Sequence, residues 1–266
     1  MAVLSRLFFY PIKSARGIEV TSARASALGL EGDRRFMFVD EHGLFVTQRD
    51  HPALARMVPS FDADHLVVSV DGLGQATVSR APEGPPVDVE VWGDRVVAVH
   101  ASGLVEELVT ELVGARLRFV YFPPTERRQV DRAYAREGDL TAFSDGFPYL
   151  VAGSASVRDV SREVGHEIIV ERFRPNLLIE TDTPYDEEAW RRITVGAIPF
   201  RLPKPCARCT VTTVDPFTGA RDKEPLATLA RTRKRDGKVI FGMNAIADAE
   251  GTLTVGDQVV VTHRSS

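Results

Sequence analysis

The first candidates for a reactive site are two cysteines. Cys206 and Cys209 are the only thiols in 266 residues. Two thiols do not build a secreted disulfide framework, a four-thiolate zinc site or an iron–sulfur cluster of their own. A thioredoxin-type pair needs its first thiol at a helix N-terminus, where the dipole lowers its pKa. Here Pro203 and Pro205 precede the motif, and a β-branched run at 210–214 follows it. The segment therefore reads as extended chain, in which positions three apart point to opposite faces. One thiol alone is expected to face any given site. Cys209 is the better candidate, because Arg208 beside it would help hold a thiolate or an anionic ligand. A single thiolate suits a soft, high-valent metal whose other ligands come from outside the protein. Cys206 is then a bystander, and two structural or incidental thiols are the alternative.

Cationic side chains supply the second set of candidates. Pro175 disfavours helix at Arg174, so Arg174 and Asn176 are expected to share one face of an extended segment and clamp an anionic, hydrogen-bonding ligand. Lys13 and Ser14 close an apolar stretch at 7–10, and lysine is scarce: five of the 33 basic residues, the other 28 being arginine. Asp33, Arg34 and Arg35 form a cationic knot before a strand, expected to be a solvated turn. The turn-rich loop 144–148 could place one carboxylate, Asp145, at the mouth of a site. The six histidines are scattered without a metal-spaced pair. No glycine-rich dinucleotide loop, P-loop, GxSxG elbow or HExxH motif occurs, so several familiar enzyme classes lose support.

These residues need elements to carry them. A hydrophobic fraction of 44% and a charged fraction of 26% are those of a globular chain, long enough for one large domain or two small ones. Hairpins are expected at 35–39 with 44–48, at 66–70 with 75–79, and at 87–91 with 96–100. An amphipathic helix follows at 102–114, then a buried strand at 117–122. The charged stretch 125–139 reads as a long exposed connection. Beyond it the pattern gives a helix at 154–165 capped by Ser154, strands at 168–172, 176–180, 198–202, 209–214 and 258–263, and a helix near 225–233. The whole is an α+β chain, predominantly β: an antiparallel β-rich domain at 1–122 and a second β-barrel domain with a few helices at 123–266. The net charge of −4 argues against nucleic-acid binding. No run approaches a membrane span, so a cytoplasmic protein without membrane contact is expected.

In sequence order, the motifs YPIKS at 10–14, GDRRFMFVD at 32–40, FSDGFPYL at 143–150, FRPN at 173–176, PCARCTVTTVDPFTG at 205–219 and VGDQV at 255–259 resemble the MOSC family. The resemblance is to its two-part form, an N-terminal MOSC β-barrel domain before the MOSC domain proper, as in the mitochondrial amidoxime-reducing members and their bacterial relatives. It implies a molybdenum cofactor, with Cys209 as the molybdenum ligand. It implies that Lys13, Ser14, Arg35, Arg174, Asn176 and Arg208 hold the pterin and its phosphate, and that Asp145 approaches the metal. The family is also associated with pyridoxal phosphate, for which the resemblance offers no residues here. Departures from the pattern are Gly146 and Phe147, where amidoxime-reducing members carry hydroxyl residues, Ala207 in place of a serine, and Asn244 in place of an aromatic.

The activity implied is two-electron reduction of small N-hydroxylated compounds, hydroxylamines and amidoximes, with N–O cleavage. A cofactor carrier or sulfur-transfer module is the alternative. With no cysteine after Cys209 and so no internal iron–sulfur cluster, a separate electron donor is expected, either ferredoxin-like or a flavin reductase. The membrane anchor of the mitochondrial members is not expected.

Overall fold

The computed structural model describes residues 2–265. Apolar side chains recur along the first strand, Ala2–Phe9, whose Leu4 and Leu7 are fully buried. This strand pairs with Leu177–Ile179 on one side and with Gln258–Arg264 on the other. The series continues through Trp190–Val195, Ile198–Ala207 and Lys238–Ala247 to Tyr149–Gly153, which pairs with Leu177–Ile179 and closes the ring. Seven strands thus form a barrel, and closure leaves no edge to protect. Its interior holds Trp190, Phe200, Tyr149 and Met243 among others, with Tyr149 and Phe200 edge-to-face at 5.2 Å. The parallel step from Tyr149–Gly153 to Leu177–Ile179 needs a crossover, and the helix Ser154–Val164 supplies its first part.

The second β unit comes from the first half of the chain. Phe36–Val39, Arg118–Tyr121, Asp94–His100 and Pro86–Val91 lie side by side in that order. Leu44 bridges Glu90 and Phe45 bridges Val39, so residues 44–45 join the two outer strands. The three-stranded sheet Val58–Phe61, His65–Val70, Gly74–Ser79 packs beside it. Helix Gly103–Val113 covers both, burying Val105, Leu108 and Val109 against a core that includes stacked Phe36 and Phe119. Among the described residues no helix is long and apolar enough to cross a membrane.

The predominantly β, α+β architecture is the one expected, and so are the hairpins at 66–79 and 87–100 and the helices. Five local expectations are overturned. Residues 44–48 make isolated bridges rather than a strand. Residues 168–172 enter a 3-10 turn, Val170–Phe173. The β-branched run after Cys209 is another 3-10 turn, Thr210–Thr213. There the hydroxyls of Thr212 and Thr213 donate to the carbonyls of Cys209 and Thr210, a local alternative to the strand ladder. The connection 125–139 is not simply exposed, because Arg128 within it is buried and Arg128–Gln129 pairs with Leu140–Thr141. The cap of Ser154–Val164 falls on Gly153 rather than Ser154.

The bridge at residues 44–45 depends on Gly43, whose φ is +80° and whose added Cβ would stand 2.6 Å from the Asp88 carbonyl oxygen. Gly43→Ala is expected to cost about 2–4 kcal/mol, from a left-handed backbone and a clash against fixed main chain. Gly72→Ala has the same φ but open space, and is expected to cost only about 1 kcal/mol. Urea unfolding of both variants checks this; equal losses would show that the close approach carries no energy.

Candidate functional site

A cleft of about 130 Å³ opens where the two β units meet. Its walls come from seven stretches of sequence: Lys13 and Ser14; Arg34; Thr47 and Arg49; the 144–150 loop and strand; Phe173, Arg174 and Asn176; Cys206–Cys209; and Asn244. A larger open groove, about 1380 Å³, runs between helix Gly103–Val113 and residues 40–51, but none of the residues singled out by sequence lines it. The cleft is the candidate site on chemistry rather than size.

Lys13 is delivered by the barrel's first strand. Its backbone N–H donates to Phe36 O at 2.8 Å, tying the end of that strand to the N-terminal sheet. The buried ammonium donates to Phe143 O at 2.8 Å and to the Asp145 carboxylate. Burial pushes the Lys13 pKa down, and Asp145 opposes that only in part. Partial loss of hydration beside the cleft wall would raise the Asp145 pKa, but the carboxylate is still open to the cleft, and the Lys13 ammonium, aided by hydrogen bonds, holds it well below the usual range. Ser14 lies at φ +71°, and its carbonyl accepts from the Gln48 amide at 2.6 Å.

Behind the cleft sits a charged knot built on a fully buried carboxylate. Asp33 accepts the Tyr10 backbone N–H at 2.7 Å and pairs with the Arg34 guanidinium. Arg34 and Arg174 lie 4.3 and 4.2 Å from the centroid of the Tyr10 ring, close enough for cation–π attraction. Arg34 also donates to Asn176 Oδ1 at 3.1 Å and to Arg174 O at 3.2 Å. Burial, with Arg34 adding to it, pushes the Arg174 pKa down to about 10. Arg174 is not in the extended segment expected of it. Its φ is +54°, and a left-handed turn after Phe173 aims the side chain at Ala15 O, 2.5 Å away.

Both cysteines are free and half-buried, and both line the cleft. The expectation that they face apart is overturned. The pairing of Ile198–Ala207 with Lys238–Ala247 slips between Pro205 and Ala207, and the chain leaves the strand into the turn that starts at Thr210. Arg208 donates to Cys206 Sγ at 3.0 Å and to Phe173 O at 2.7 Å, while its buried Nε has no partner. Ser144 Oγ is likewise buried without a partner. Among the described residues no group of three or more His, Cys, Asp or Glu could hold a metal ion. Any metal here would need ligands from a bound group.

Lys13, Ser14, Asp145, Arg174, Asn176, Arg208 and Cys209 therefore come together. Arg35 does not. Its guanidinium donates to Phe122 O at 2.6 and 3.1 Å and lines a separate depression with Arg24 and Glu250. The cleft arginine of that knot is Arg34, and Asp33 beside it is buried rather than solvated. Asn176 lines the cleft, but its amide is engaged, donating to Phe8 O and accepting from Leu150 N. Gly146, Phe147, Ala207 and Asn244, the departures from the family pattern, all lie on the cleft wall. Sequence reasoning missed Arg128. Its buried guanidinium donates to the carbonyls of Ala142, Ser144 and Asp145 at 3.0, 2.5 and 3.0 Å and fixes the loop that carries Asp145. Nothing in the charged stretch around it sets it apart.

Residues 1–116 match the MOSC N-terminal beta barrel domain, and residues 139–260 match the MOSC domain. The chain is 31% identical over 278 residues to mitochondrial amidoxime-reducing component 1 of Mus musculus, covering 97% of this chain and 82% of that protein. It is 30% identical over 281 residues to mitochondrial amidoxime-reducing component 1 of Homo sapiens, with the same coverage. It is also 29% identical over 269 residues to the molybdenum cofactor sulfurase of Anopheles gambiae, covering 90% of this chain and 34% of that protein.

Removing one partner of a buried ion pair strands the other. Asp33→Asn is expected to destabilise by about 3 kcal/mol at neutral pH. The double variant Asp33→Asn/Arg34→Gln should lose less than the two single losses added together. Urea unfolding of the four proteins closes this cycle, and a loss under about 1 kcal/mol for Asp33→Asn would remove it as the anchor of the knot.

Proposed function

As the chain belongs to the MOSC family, we propose that it binds the molybdenum cofactor and reduces small N-hydroxylated compounds, hydroxylamines and amidoximes. Relatives spanning nearly the whole chain are named for amidoxime reduction, and others for molybdenum cofactor sulfuration, so a molybdenum-cofactor-related function comes with the family. The observation that carries the reading is the donor set of the cleft. Half-buried thiols and the cations Lys13, Arg34, Arg174 and Arg208 surround it, and the Arg208 Nε donor is buried with no protein partner. That set fits an anionic, phosphate-bearing cofactor whose metal takes a thiolate.

In this reading Cys209 holds the metal, and Arg34, Arg174, Arg208 and Ser14 hold the pterin and phosphate. When bound, the cofactor supplies a two-electron redox centre. Reduction takes up two electrons and two protons, breaks the N–O bond, and releases an amine or amidine and water. Lys13 is the proton donor of the cleft, because burial makes its ammonium a stronger acid than a surface lysine. Asp145 stays ionised at neutral pH and serves as an acceptor, holding Lys13 and a substrate N–H or O–H. The reacting groups are thereby oriented before chemistry begins. Gly146, Phe147, Ala207 and Asn244 shape the part of the wall where substrate preference is set. Electrons come from a separate ferredoxin-like or flavin reductase. Both cysteines being free, the compartment we propose is the reducing cytoplasm.

A carrier or sulfur-transfer role is favoured by one observation, the second thiol of Cys206 held by Arg208 in the same cleft. Metal analysis of protein made in a cofactor-producing host tests both readings. Wild type is expected to carry stoichiometric molybdenum, Cys209→Ala none, and Arg174→Ala a reduced share with unchanged melting. Turnover of a hydroxylamine or amidoxime by the loaded protein with an artificial reductant establishes the reductase. Molybdenum without turnover leaves the carrier, and no molybdenum in any variant sinks both.

A further inference from the structure

A hairpin tip of the N-terminal β unit reaches the cleft through a tryptophan. In the pair Pro86–Val91 and Asp94–His100, Val91 stands opposite Asp94, leaving Trp92 and Gly93 as a two-residue turn. Their φ angles are +56° and +90°. Turns with two positive φ angles favour Asn, Asp or Gly at the first place, and a bulky side chain there is strained. Trp92 is also 50% exposed, whereas Trp190, the other tryptophan, is 1% exposed. Burial of the ring does not account for so costly a residue at this turn.

Its contacts do. The indole Nε1–H donates to Asp145 Oδ1 at 3.1 Å. The ring lies 5.1 Å from Phe45, and the Arg49 guanidinium sits 4.6 Å from the indole centroid. Arg128 clamps tip and loop together, bonding Asp94 Oδ2 at 2.8 Å and Asp145 O at 3.0 Å. Oδ1 of Asp145 therefore receives both the Lys13 ammonium and the indole N–H. Oδ2 has no hydrogen-bond partner among the described residues, and the carboxylate is open to the cleft.

We propose that Trp92 is a positioning residue for Asp145: with Lys13 it occupies Oδ1, sets the rotation of the carboxylate, and leaves Oδ2 as the free acceptor for the substrate's N–OH group. The N-terminal β unit thus contributes to the reacting geometry as well as to the cleft wall. The substrate part rests on the reductase reading, whereas the Trp92–Asp145 contact does not. The charged groups facing Asp145 are Lys13, Arg34, Arg128 and Arg174, with Arg49 over the indole, all of them cations.

Two variants and two readouts test this. Trp92→Phe keeps the ring and the strained turn but loses the N–H. Trp92→His returns a ring N–H the same number of bonds from Cβ. Loss of a hydrogen bond to an ionised carboxyl disfavours that form, so the Asp145 titration, followed by carboxyl-carbon NMR on the full-length protein, is expected to move up by about 0.5–1 pH unit in Trp92→Phe. Trp92→His should bring it back to or below the wild-type midpoint. In the cofactor-loaded enzyme, Trp92→Phe should lower kcat about tenfold with KM changed less than about twofold, and Trp92→His should recover most of it. Coincident titrations for wild type and Trp92→Phe, with melting unchanged, would overturn the proposal. An Asp145 shift in a protein that turns over no N-hydroxylated compound would uphold the contact while removing the reductase reading.

Discussion

Two guanidinium groups crowd one tyrosine ring at the back of the cleft, and a single carboxylate with no exposure to water makes the arrangement tolerable. Asp33 offsets part of the repulsion between Arg34 and Arg174 and fixes the start of the segment that carries Lys13, through the Tyr10 N–H. An isolated guanidinium, which keeps its proton, would be driven out toward solvent. With Asp33 in place, both can face inward, so the cleft offers fixed positive charge without a mobile side chain having to be ordered by the ligand. Such preorganisation is where a binding site gains most over a flexible surface.

The site is assembled from parts that no single segment contains. The barrel contributes Lys13, Asn176 and the cysteine turn; the other β unit contributes Arg34, Arg49 and Trp92; the connection between them contributes Arg128. Asn176 holds the first strand against Tyr149–Gly153, and Arg128 holds the Asp145 loop against the hairpin. Neither needs to touch a ligand to matter, since each fixes where a neighbour's charge is pointed.

The periodic parts of the fold were legible in sequence. Alternation marked the hairpins around 71–74 and 92–93, and the apolar stripe marked helix Gly103–Val113. What escaped was set by tertiary context. The run after Cys209 has strand composition, yet threonine hydroxyls fold it into a turn and bring both thiols to one cleft. Arg34 and Arg35 are equivalent by type, and only the buried partner at Asp33 selects the first. Arg128 sits among ordinary surface charges, and its burial depends on carbonyls more than a dozen residues away. Trp92 alone left a local sign, a bulky residue where a tight turn calls for a small polar one.

Consider, finally, that Val3 pairs with Gln258. The barrel closes between Val3 and Gln258, so on the ribosome its first strand stays without that partner until residue 258 has emerged. Contacts of such sequence separation are slow to form, because loop closure is lost before pairing is gained. The hairpins and the helix Gly103–Val113 are local and can form early. The cleft, which needs Lys13 from the opening strand beside cysteines at 206 and 209, is therefore slower to form than the hairpins, and a chain interrupted before Gln258 would lose the closure of its barrel.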